Sequence, residues 1–218
     1  MNLETMRVIF DAARGPSQAV EKLEDRLLLF ALIFGIKPKR CLEIGTFQGG
    51  SAQIIVSALD ACGQGKLVSI DPAPKIPEEV RAEIAHRHEL IVGPSPACIA
   101  AASKRFEEGR FDFVFIDGDH DRAYADIEGV LPFLAHGAYL LCHDCFYKNV
   151  KRDIQRALSR FPQLVDCGIL GNKFVEIDGH PWTGTHMLRF TSPEASPHSR
   201  SPHFRPGFRQ LLRRLSWK

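Results

Sequence analysis

Apolar residues along the chain follow two alternating patterns, which together predict a mostly parallel α/β sheet. Short apolar runs such as 66–70 and 111–116 have the length of buried strands, and the segments between them repeat apolar residues at helical spacing. The predicted strands are 40–45, 66–70, 89–92, 111–116 and 138–142, with two more at 163–169 and 185–191, and the predicted helices are 16–35, 51–61, 77–88, 97–108, 122–135 and 150–161. Strands that alternate with helices of about ten residues are typical of such a sheet.

The length of 218 residues favours one domain, which we expect to span residues 1–190 with the helix at 16–35 packed on it. The net charge of +2 excludes a strongly basic nucleic-acid coat and a strongly acidic solvating protein. Residues 191–218 hold six Lys/Arg and one Glu. We therefore predict a flexible basic tail there, whose end at 208–217 has the spacing of a short amphipathic helix.

No apolar run in the sequence is long enough for a transmembrane helix, and no targeting segment is recognised. The six cysteines are scattered, and a chain of this length does not need disulfides, so reduced thiols and a cytoplasmic location are expected. The Cys142-His-Asp-Cys145 run looks like half a zinc site, but no second Cys/His pair follows at a suitable spacing.

Polar or glycine-rich segments follow four of the predicted strands, at 43–51, Asp71, 117–120 and 143–144. The carboxyl ends of parallel strands share one edge of a sheet, where ligands bind. The first segment, Glu43-Ile-Gly-Thr-Phe-Gln-Gly-Gly-Ser51, predicts a glycine-rich turn that a ligand can approach closely. Its G-x-x-x-G spacing differs from the dinucleotide fingerprint, and no P-loop lysine follows. Asp71 is placed either to accept hydrogen bonds from a ribose diol or to cap a helix or loop.

These segments resemble class I S-adenosylmethionine-dependent methyltransferases over residues 20–190. The resemblance rests on 42–51, on Ser69-Ile-Asp71, on 111–120 and on 140–144, and it is closest to the small metal-dependent O-methyltransferases of the catechol, caffeoyl-CoA and natural-product sugar types. It implies a Rossmann-like, seven-stranded, mostly parallel sheet with helices on both faces and the last strand antiparallel.

The resemblance also implies S-adenosylmethionine as the cofactor. The cofactor-binding residues it suggests are Glu43, Gly45, Thr46, Phe47, Gln48, Gly49, Ser51, Asp71, Gly93, Ser95 and Asp117. Of these, the resemblance assigns Glu43, Gly45 and Ser51 to the methionine part, Asp71 to the ribose, and Gly93 and Ser95 to the adenine side.

A metal site is expected at Asp117 and Asp144, because they follow strands that are neighbours in this topology. Two carboxylates and water suit a hard cation such as Mg²⁺, and the resembled enzymes hold their metal at these positions. His143 is placed to add a ligand or to orient Asp144. A histidine departs from the oxygen preference of Mg²⁺, which leaves Mn²⁺, Fe²⁺ or no metal open.

His120 is the predicted catalytic base, because it lies three residues after Asp117 and an imidazole accepts protons near neutral pH. Some sugar O-methyltransferases have a similar Asp-x-x-His. The alternative is that His120 caps the next helix. Asp119 and Asp121 are interpreted as first-turn charges of that helix, and Trp182 as a residue that could cover a planar or sugar acceptor.

The sequence therefore predicts an enzyme that methylates a hydroxyl of a small molecule, with Mg²⁺ or Mn²⁺ and His120 as base. Metal-independent methylation of nitrogen, RNA methylation and non-catalytic cofactor binding are the alternatives. The slightly acidic body argues against a nucleic-acid partner. The basic tail is a solvated end or, as alternatives, a contact with a membrane surface, a partner or a nucleic acid. Members of the resembled families often dimerise, which leaves a homo-oligomer open.

Overall fold

The computed structural model describes residues 23–171, 175–177 and 179–192. Its helices are α1 (Leu23–Ile36), α2 (Gly50–Cys62), α3 (Glu78–Ile84), α4 (Ile99–Ser103), α5 (Ala123–Val130) and α6 (Lys148–Arg160). Its strands are β1 (Arg40–Ile44), β2 (Lys66–Asp71), β3 (His88–Val92), β4 (Phe111–Ile116), β5 (Leu134–Cys142), β6 (Leu164–Leu170), β7 (Val175–Ile177), β8 (His180–Trp182) and β9 (Thr185–Phe190).

Seven strands form one sheet in the order β3-β2-β1-β4-β5-β9-β6. The pairs from β3 to β5 are parallel, whereas β9 pairs antiparallel with both of its neighbours. The predicted fold, a mostly parallel seven-stranded sheet with its last strand antiparallel, is confirmed. The β7–β8 pair forms a separate two-stranded sheet, which the sequence analysis did not predict.

Helices cover both faces of the sheet because successive strand residues point to opposite sides. In β4, Val114 and Ile116 pack with α4, α5 and α6, while Phe113 and Phe115 pack with α1, α2 and α3. All four side chains are buried. Burying a side chain of this size stabilises a fold by about 1.5–3 kcal/mol, so the central strands hold the sheet rigidly beneath its carboxyl edge.

Three predicted helices are shorter in the structure. The helix predicted at 77–88 is replaced by α3, because His88 enters the edge strand and pairs with Leu67. The helix predicted at 97–108 is replaced by α4, and Phe106 beyond it packs edge-on against Phe111. The helix predicted at 122–135 ends at Val130, where a 3₁₀ turn containing Pro132 precedes β5.

Several predictions concern residues outside the described part of the chain. The predicted helix at 16–35 is seen from Leu23 onward as α1, and residues 16–22 lie outside. The basic tail also lies outside from residue 193 onward. Within the described ranges, no helix has the length and apolarity needed to cross a bilayer. The six cysteines all fall within these ranges as free thiols.

Candidate active site

A cleft of about 490 Å³ lies along the carboxyl ends of the parallel strands. It extends from Pro94 and Ser95, after β3, to Asp144, after β5. The predicted site residues that line it are Gly45, Thr46, Phe47, Gln48, Ser51, Asp71, Ser95, Asp117, His120 and Asp144. Three predicted cofactor residues, Glu43, Gly49 and Gly93, do not line it, and neither does His143.

The turn after β1 brings its backbone close to the start of the β4 loop. Gly45 has φ +86°, a conformation in which an added Cβ would collide with the carbonyl oxygen of Asp117. Glycine is therefore required here for space as well as for conformation. Gly49, with φ +83°, packs away from the cleft, because its α-carbon faces Ile76 and Val80 of the neighbouring layer.

Asp71 fixes this turn from beneath. Its Oδ2 accepts hydrogen bonds from the backbone N–H of Thr46 at 3.0 Å and of Phe47 at 2.8 Å, while Oδ1 accepts one from Ala73 at 2.7 Å. A carboxylate has about four lone-pair sites, so Asp71 retains capacity for a ligand hydroxyl on the cleft side. The carboxylate thus shapes the turn, which agrees with the loop-capping role that the sequence offered as an alternative to ribose binding.

Glu43 lies one layer below the cleft and is fully buried. Its carboxylate accepts hydrogen bonds from Ser51 Oγ at 2.6 Å and from Ser69 Oγ at 2.5 Å. The Ser69 hydroxyl also contacts His88 Nε2 at 2.8 Å. Glu43 therefore orients Ser51, which does line the cleft, through a buried chain that extends to the edge strand.

Burial, together with the nearby Arg81 charge, lowers the pKa of His88 to about 4. The unfolded chain therefore binds a proton more readily than the folded chain between the ordinary pKa of 6.5 and about 4. Folding stability is consequently lost as the pH falls through this window. We expect the His88 contribution to reduce the free energy of unfolding by about 2 kcal/mol between pH 6.5 and 4.5.

Urea unfolding of wild type and His88→Gln at the two pH values checks this expectation. The variant should lack that part of the pH dependence, whereas His86→Gln, at an exposed neighbouring histidine, should keep it. Equal pH dependence in wild type and His88→Gln would contradict the assignment.

The other end of the cleft gathers two carboxylates and two imidazoles. His120 Nε2 lies 2.7 Å from Asp144 Oδ2, and His143 Nδ1 lies 3.1 Å from Asp117 Oδ1. The second oxygen of Asp144 accepts the N–H of Thr183 at 2.7 Å. Asp144 has φ +50°, a strained conformation for a non-glycine residue, which these contacts hold in place.

The pKa values at this end reflect the mutual contacts. The hydrogen bond to Asp144 raises the pKa of His120 above its ordinary value, outweighing burial. Burial alone would raise the pKa of Asp144, but the hydrogen bonds from His120 and His143 outweigh it and leave that pKa well below its usual range. Burial of His143 is likewise outweighed by Asp117 and Asp144, so its pKa is raised. These contacts therefore favour the ionised forms of Asp144, His120 and His143.

One ligand atom each from Asp117, His120 and Asp144 lies within 4.8 Å of the others. Two carboxylate oxygens and one imidazole nitrogen fit a divalent cation, and the nitrogen suits Mn²⁺ or Fe²⁺ better than Mg²⁺. His143 is not part of this group; its Nδ1 contacts Asp117, and its buried Nε2 has no hydrogen-bond partner among the described residues. It is placed to orient Asp117 and Asp144 from below.

Helix α5 begins at Ala123, and its N-cap position is occupied by Arg122, whose side chain makes no capping hydrogen bond. His120 therefore does not cap this helix. The sequence had suggested that Asp119 and Asp121 lie in the first turn of this helix, but both residues precede it. Asp119 Oδ1 accepts the N–H of Asp121 at 3.0 Å, which closes the turn. His120 is thereby free to reach Asp144.

An aromatic pair adjoins His120. The rings of Tyr147 and Trp182 stack with centroids 4.4 Å apart and planes 17° apart, and His120 meets Trp182 edge-on at 5.1 Å. The sequence had placed Trp182 on the acceptor side, and the structure brings it to the candidate base. Tyr147 was not anticipated, because its proximity depends on the fold of the β7–β8 hairpin.

Two more cleft residues, Arg122 and Asp126, were also missed. Asp126 is a buried carboxylate on the inner side of α5 and accepts a hydrogen bond from Ser95 Oγ at 2.6 Å. Its only signal in the sequence was an acid at a position of the helix that otherwise faces the core. Gly93 is excluded from the cleft because its α-carbon faces the Cys98 side chain.

Comparison with known proteins finds a family whose model matches the central part of the chain. Residues 42–145 match the family described as "Methyltransferase domain". This central segment is therefore similar to a methyltransferase domain. This domain contains the glycine turn, Asp71, Asp117, His120 and Asp144, which are the residues that carried the resemblance seen in the sequence, and that resemblance is confirmed.

Relatives of the methyltransferase domain extend the comparison. Tricin synthase 2 of Oryza sativa subsp. japonica is 28% identical over 156 residues, 63% of this chain and 53% of the relative. Catechol O-methyltransferase domain-containing protein 1 of Mus musculus is 31% identical over 120 residues, 54% of this chain and 46% of the relative. The chain thus spans about half the length of these curated relatives.

A solved structure of similar fold is TomG of Streptomyces achromogenes, an O-methyltransferase involved in tomaymycin synthesis, in complex with SAM. It superposes with a TM-score of 0.62 at 20% identity, covering 88% of this chain and 92% of that protein.

Proposed function

We propose that the protein transfers a methyl group from S-adenosylmethionine to a hydroxyl group of a small molecule. The observation that carries this proposal is the contact between His120 and Asp144 at one end of a cleft whose floor is the glycine turn. The names of the relatives and the SAM complex of TomG support the same cofactor and the same class of acceptor. The free thiols fit a reducing compartment such as the cytoplasm.

His120 is the proposed base. When its Nε2–H donates to Asp144, the neutral ring has its lone pair on Nδ1, which can take the proton of the acceptor hydroxyl. The hydroxyl oxygen then forms a bond to the methyl carbon as the carbon–sulfur bond breaks, and the electron pair of that bond stays on sulfur. The products are the methyl ether and S-adenosylhomocysteine.

Asp117 and Asp144 are the proposed ligands of a divalent cation, which when bound lowers the pKa of a hydroxyl beside it. His143 orients both carboxylates from the buried side. The stacked Tyr147 and Trp182 give the acceptor a flat apolar wall, which suits a planar phenol better than an aliphatic alcohol. The rest of the catalysis is positioning of the hydroxyl in line with the methyl group.

The first test is calorimetric titration of the full chain with S-adenosylhomocysteine, followed by assays with catechol, other simple phenols and a hexose in Mg²⁺, Mn²⁺ or EDTA. We expect binding of S-adenosylhomocysteine, and release of it from S-adenosylmethionine with a phenol and a cation. Loss of turnover in EDTA, restored by Mn²⁺, would support the cation. Absence of binding would refute the proposed function, and turnover unchanged by EDTA would refute the cation alone.

A further inference from the structure

A second cavity, which we call the β3-edge pocket, lies between α3 and the edge strand β3. Its volume is about 230 Å³, and its walls are Ile76, Arg81, Ala85, His88 and Leu90. None of these residues lines the cleft at the carboxyl ends of the strands. A single water needs only about 10–15 Å³, whereas pockets for drug-sized ligands begin near about 300 Å³. The β3-edge pocket therefore has room for a small organic molecule.

Apolar walls surround two polar groups in this pocket. Ile76, Ala85 and Leu90 supply aliphatic surface, and Leu90 is half-buried against the core on the α3 side of the sheet. Pockets for small molecules share this composition, because apolar surface holds the ligand while a few polar groups fix its orientation. The two polar groups here, Arg81 and His88, therefore decide which ligand fits.

Arg81 offers the pocket a positive charge and unused donors. Its one ion pair among the described residues joins Nε to Glu78 Oε2 at 3.8 Å, which is longer than a hydrogen bond. A guanidinium carries five N–H donors in a planar fork, and two of them match the two oxygens of a carboxylate. Arg81 thus favours a ligand with a carboxylate group.

His88 presents an acceptor to the same pocket. The Ser69 hydroxyl donates its one proton to Glu43 Oε2 at 2.5 Å, so its oxygen accepts the N–H of His88 Nε2 at 2.8 Å. The proton of the neutral ring is therefore on Nε2, and Nδ1 keeps a lone pair that has no hydrogen-bond partner among the described residues. Burial and the Arg81 charge lower the pKa of His88 to about 4, so the ring is neutral at pH 7.5. Nδ1 then accepts a hydrogen bond and cannot donate one.

A ligand that uses the whole pocket must satisfy both polar groups at once. A carboxylate pairs with Arg81, and an O–H or N–H donor meets His88 Nδ1. An ammonium group is disfavoured as that donor, because the charge of Arg81 already opposes a positive charge at His88. A neutral hydroxyl has the required proton without the charge.

We propose that the β3-edge pocket is a second binding site, which takes a small hydroxylated carboxylic acid with an apolar body. The carboxylate lies against Arg81, the hydroxyl donates to His88 Nδ1, and the apolar body packs on the aliphatic walls. The site is separate from the cleft, so its occupancy does not depend on the proposed function.

The test is calorimetric titration of the full chain at pH 7.5 with 2-hydroxy- and 3-hydroxy-4-methylpentanoate, and with 4-methylpentanoate, which lacks the hydroxyl. These probes are aliphatic, which separates them from the phenols expected in the cleft. At least one hydroxy acid should bind, and 4-methylpentanoate should bind about threefold or more weakly, because the hydrogen bond to His88 is lost.

Arg81→Gln should weaken binding of the hydroxy acid by at least about tenfold, since it removes a hydrogen-bonded charge from the ligand. Arg105→Gln is the matched control. The Arg105 side chain is 54% exposed against 56% for Arg81, and it has a similarly long ion pair, at 3.7 Å from Glu89, but it does not line the pocket. Its affinity for the hydroxy acid should equal that of wild type.

Filling the pocket provides the second arm of the test. Ala85→Leu places a larger side chain at a lining position that is exposed at the end of α3, so the fold should be kept while binding is lost. Ala82→Leu, the same change at an exposed position of α3 outside the lining, should bind as wild type does. Absence of binding by both hydroxy acids at millimolar concentration, or wild-type affinity in Arg81→Gln or Ala85→Leu, would overturn this inference. Equal affinity for 4-methylpentanoate would overturn the role of the hydroxyl.

Discussion

Replacing His120 by alanine is expected to slow methyl transfer by about 100- to 10,000-fold, the contribution typical of a positioned acid–base group. Binding of S-adenosylhomocysteine should be retained, because His120 lies at the acceptor end of the cleft, beside the Tyr147–Trp182 pair. The loss should appear in kcat, since an imidazole that takes the proton acts in the transition state. Steady-state kinetics with the best acceptor of the phenol panel measure it.

His86→Ala is the matched control, because His86 also contacts an aspartate, Asp60 at 2.9 Å, but lies exposed at the surface. Its kinetics should equal those of wild type. Mn²⁺ titration of His120→Ala then distinguishes two roles for the imidazole. Unchanged Mn²⁺ affinity with a lost rate identifies a base, whereas a large loss of affinity identifies a metal ligand. Turnover at the wild-type rate would refute both roles.

Replacing Gly45 by alanine should weaken binding of S-adenosylhomocysteine by at least about tenfold, which corresponds to a loss of about 1.4 kcal/mol of binding free energy. The new methyl group would lie 2.7 Å from the carbonyl carbon of Asp117, which is backbone and cannot give way as the end of a flexible side chain can. The turn must therefore shift, and with it the Thr46 and Phe47 amides that Asp71 holds. Alanine also disfavours the required φ of +86°.

Gly109→Ala separates the clash from the backbone conformation. Gly109 has φ +61°, but an added Cβ there meets nothing within 4 Å. The Gly109→Ala variant should lose stability because alanine disfavours a positive φ, as in Gly45→Ala, but it should bind S-adenosylhomocysteine with wild-type affinity. Calorimetry on both variants, after circular dichroism has shown that they are folded, makes the comparison. Wild-type affinity in Gly45→Ala would show that the turn does not contact the ligand.

The sequence was sufficient for the parts of the site that lie at strand ends. Asp71, Asp117 and Asp144 each follow an apolar run, so the order of the parallel strands placed them on one edge. Local spacing also suggested that His120 and Asp117 share a pocket. It did not show that His120 pairs with Asp144, because that contact depends on the path of two separate loops.

Contacts from distant segments could not be read in the same way. The Thr183 amide reaches Asp144 across 39 positions, from a turn whose backbone is itself left-handed at φ +69°. Asp126 was overlooked because a buried acid in a helix has no periodic signal of its own; only its approach to Ser95 reveals it. The predicted end of a helix was wrong where the residue pairs with a neighbouring strand instead, as His88 does with Leu67.

The antiparallel strand β9 lies between β5 and β6, although it follows both of them in the chain. During synthesis on the ribosome, residues 42–145 emerge first and can pair from β3 to β5. The gap beside β5 closes only when Thr185–Phe190 arrives, and Thr183 just ahead of it then fixes Asp144. Under the proposed function, the cofactor cleft is therefore expected to form earlier in biosynthesis than the completed reaction centre, so the nascent chain would bind its methyl donor before it could transfer the methyl group.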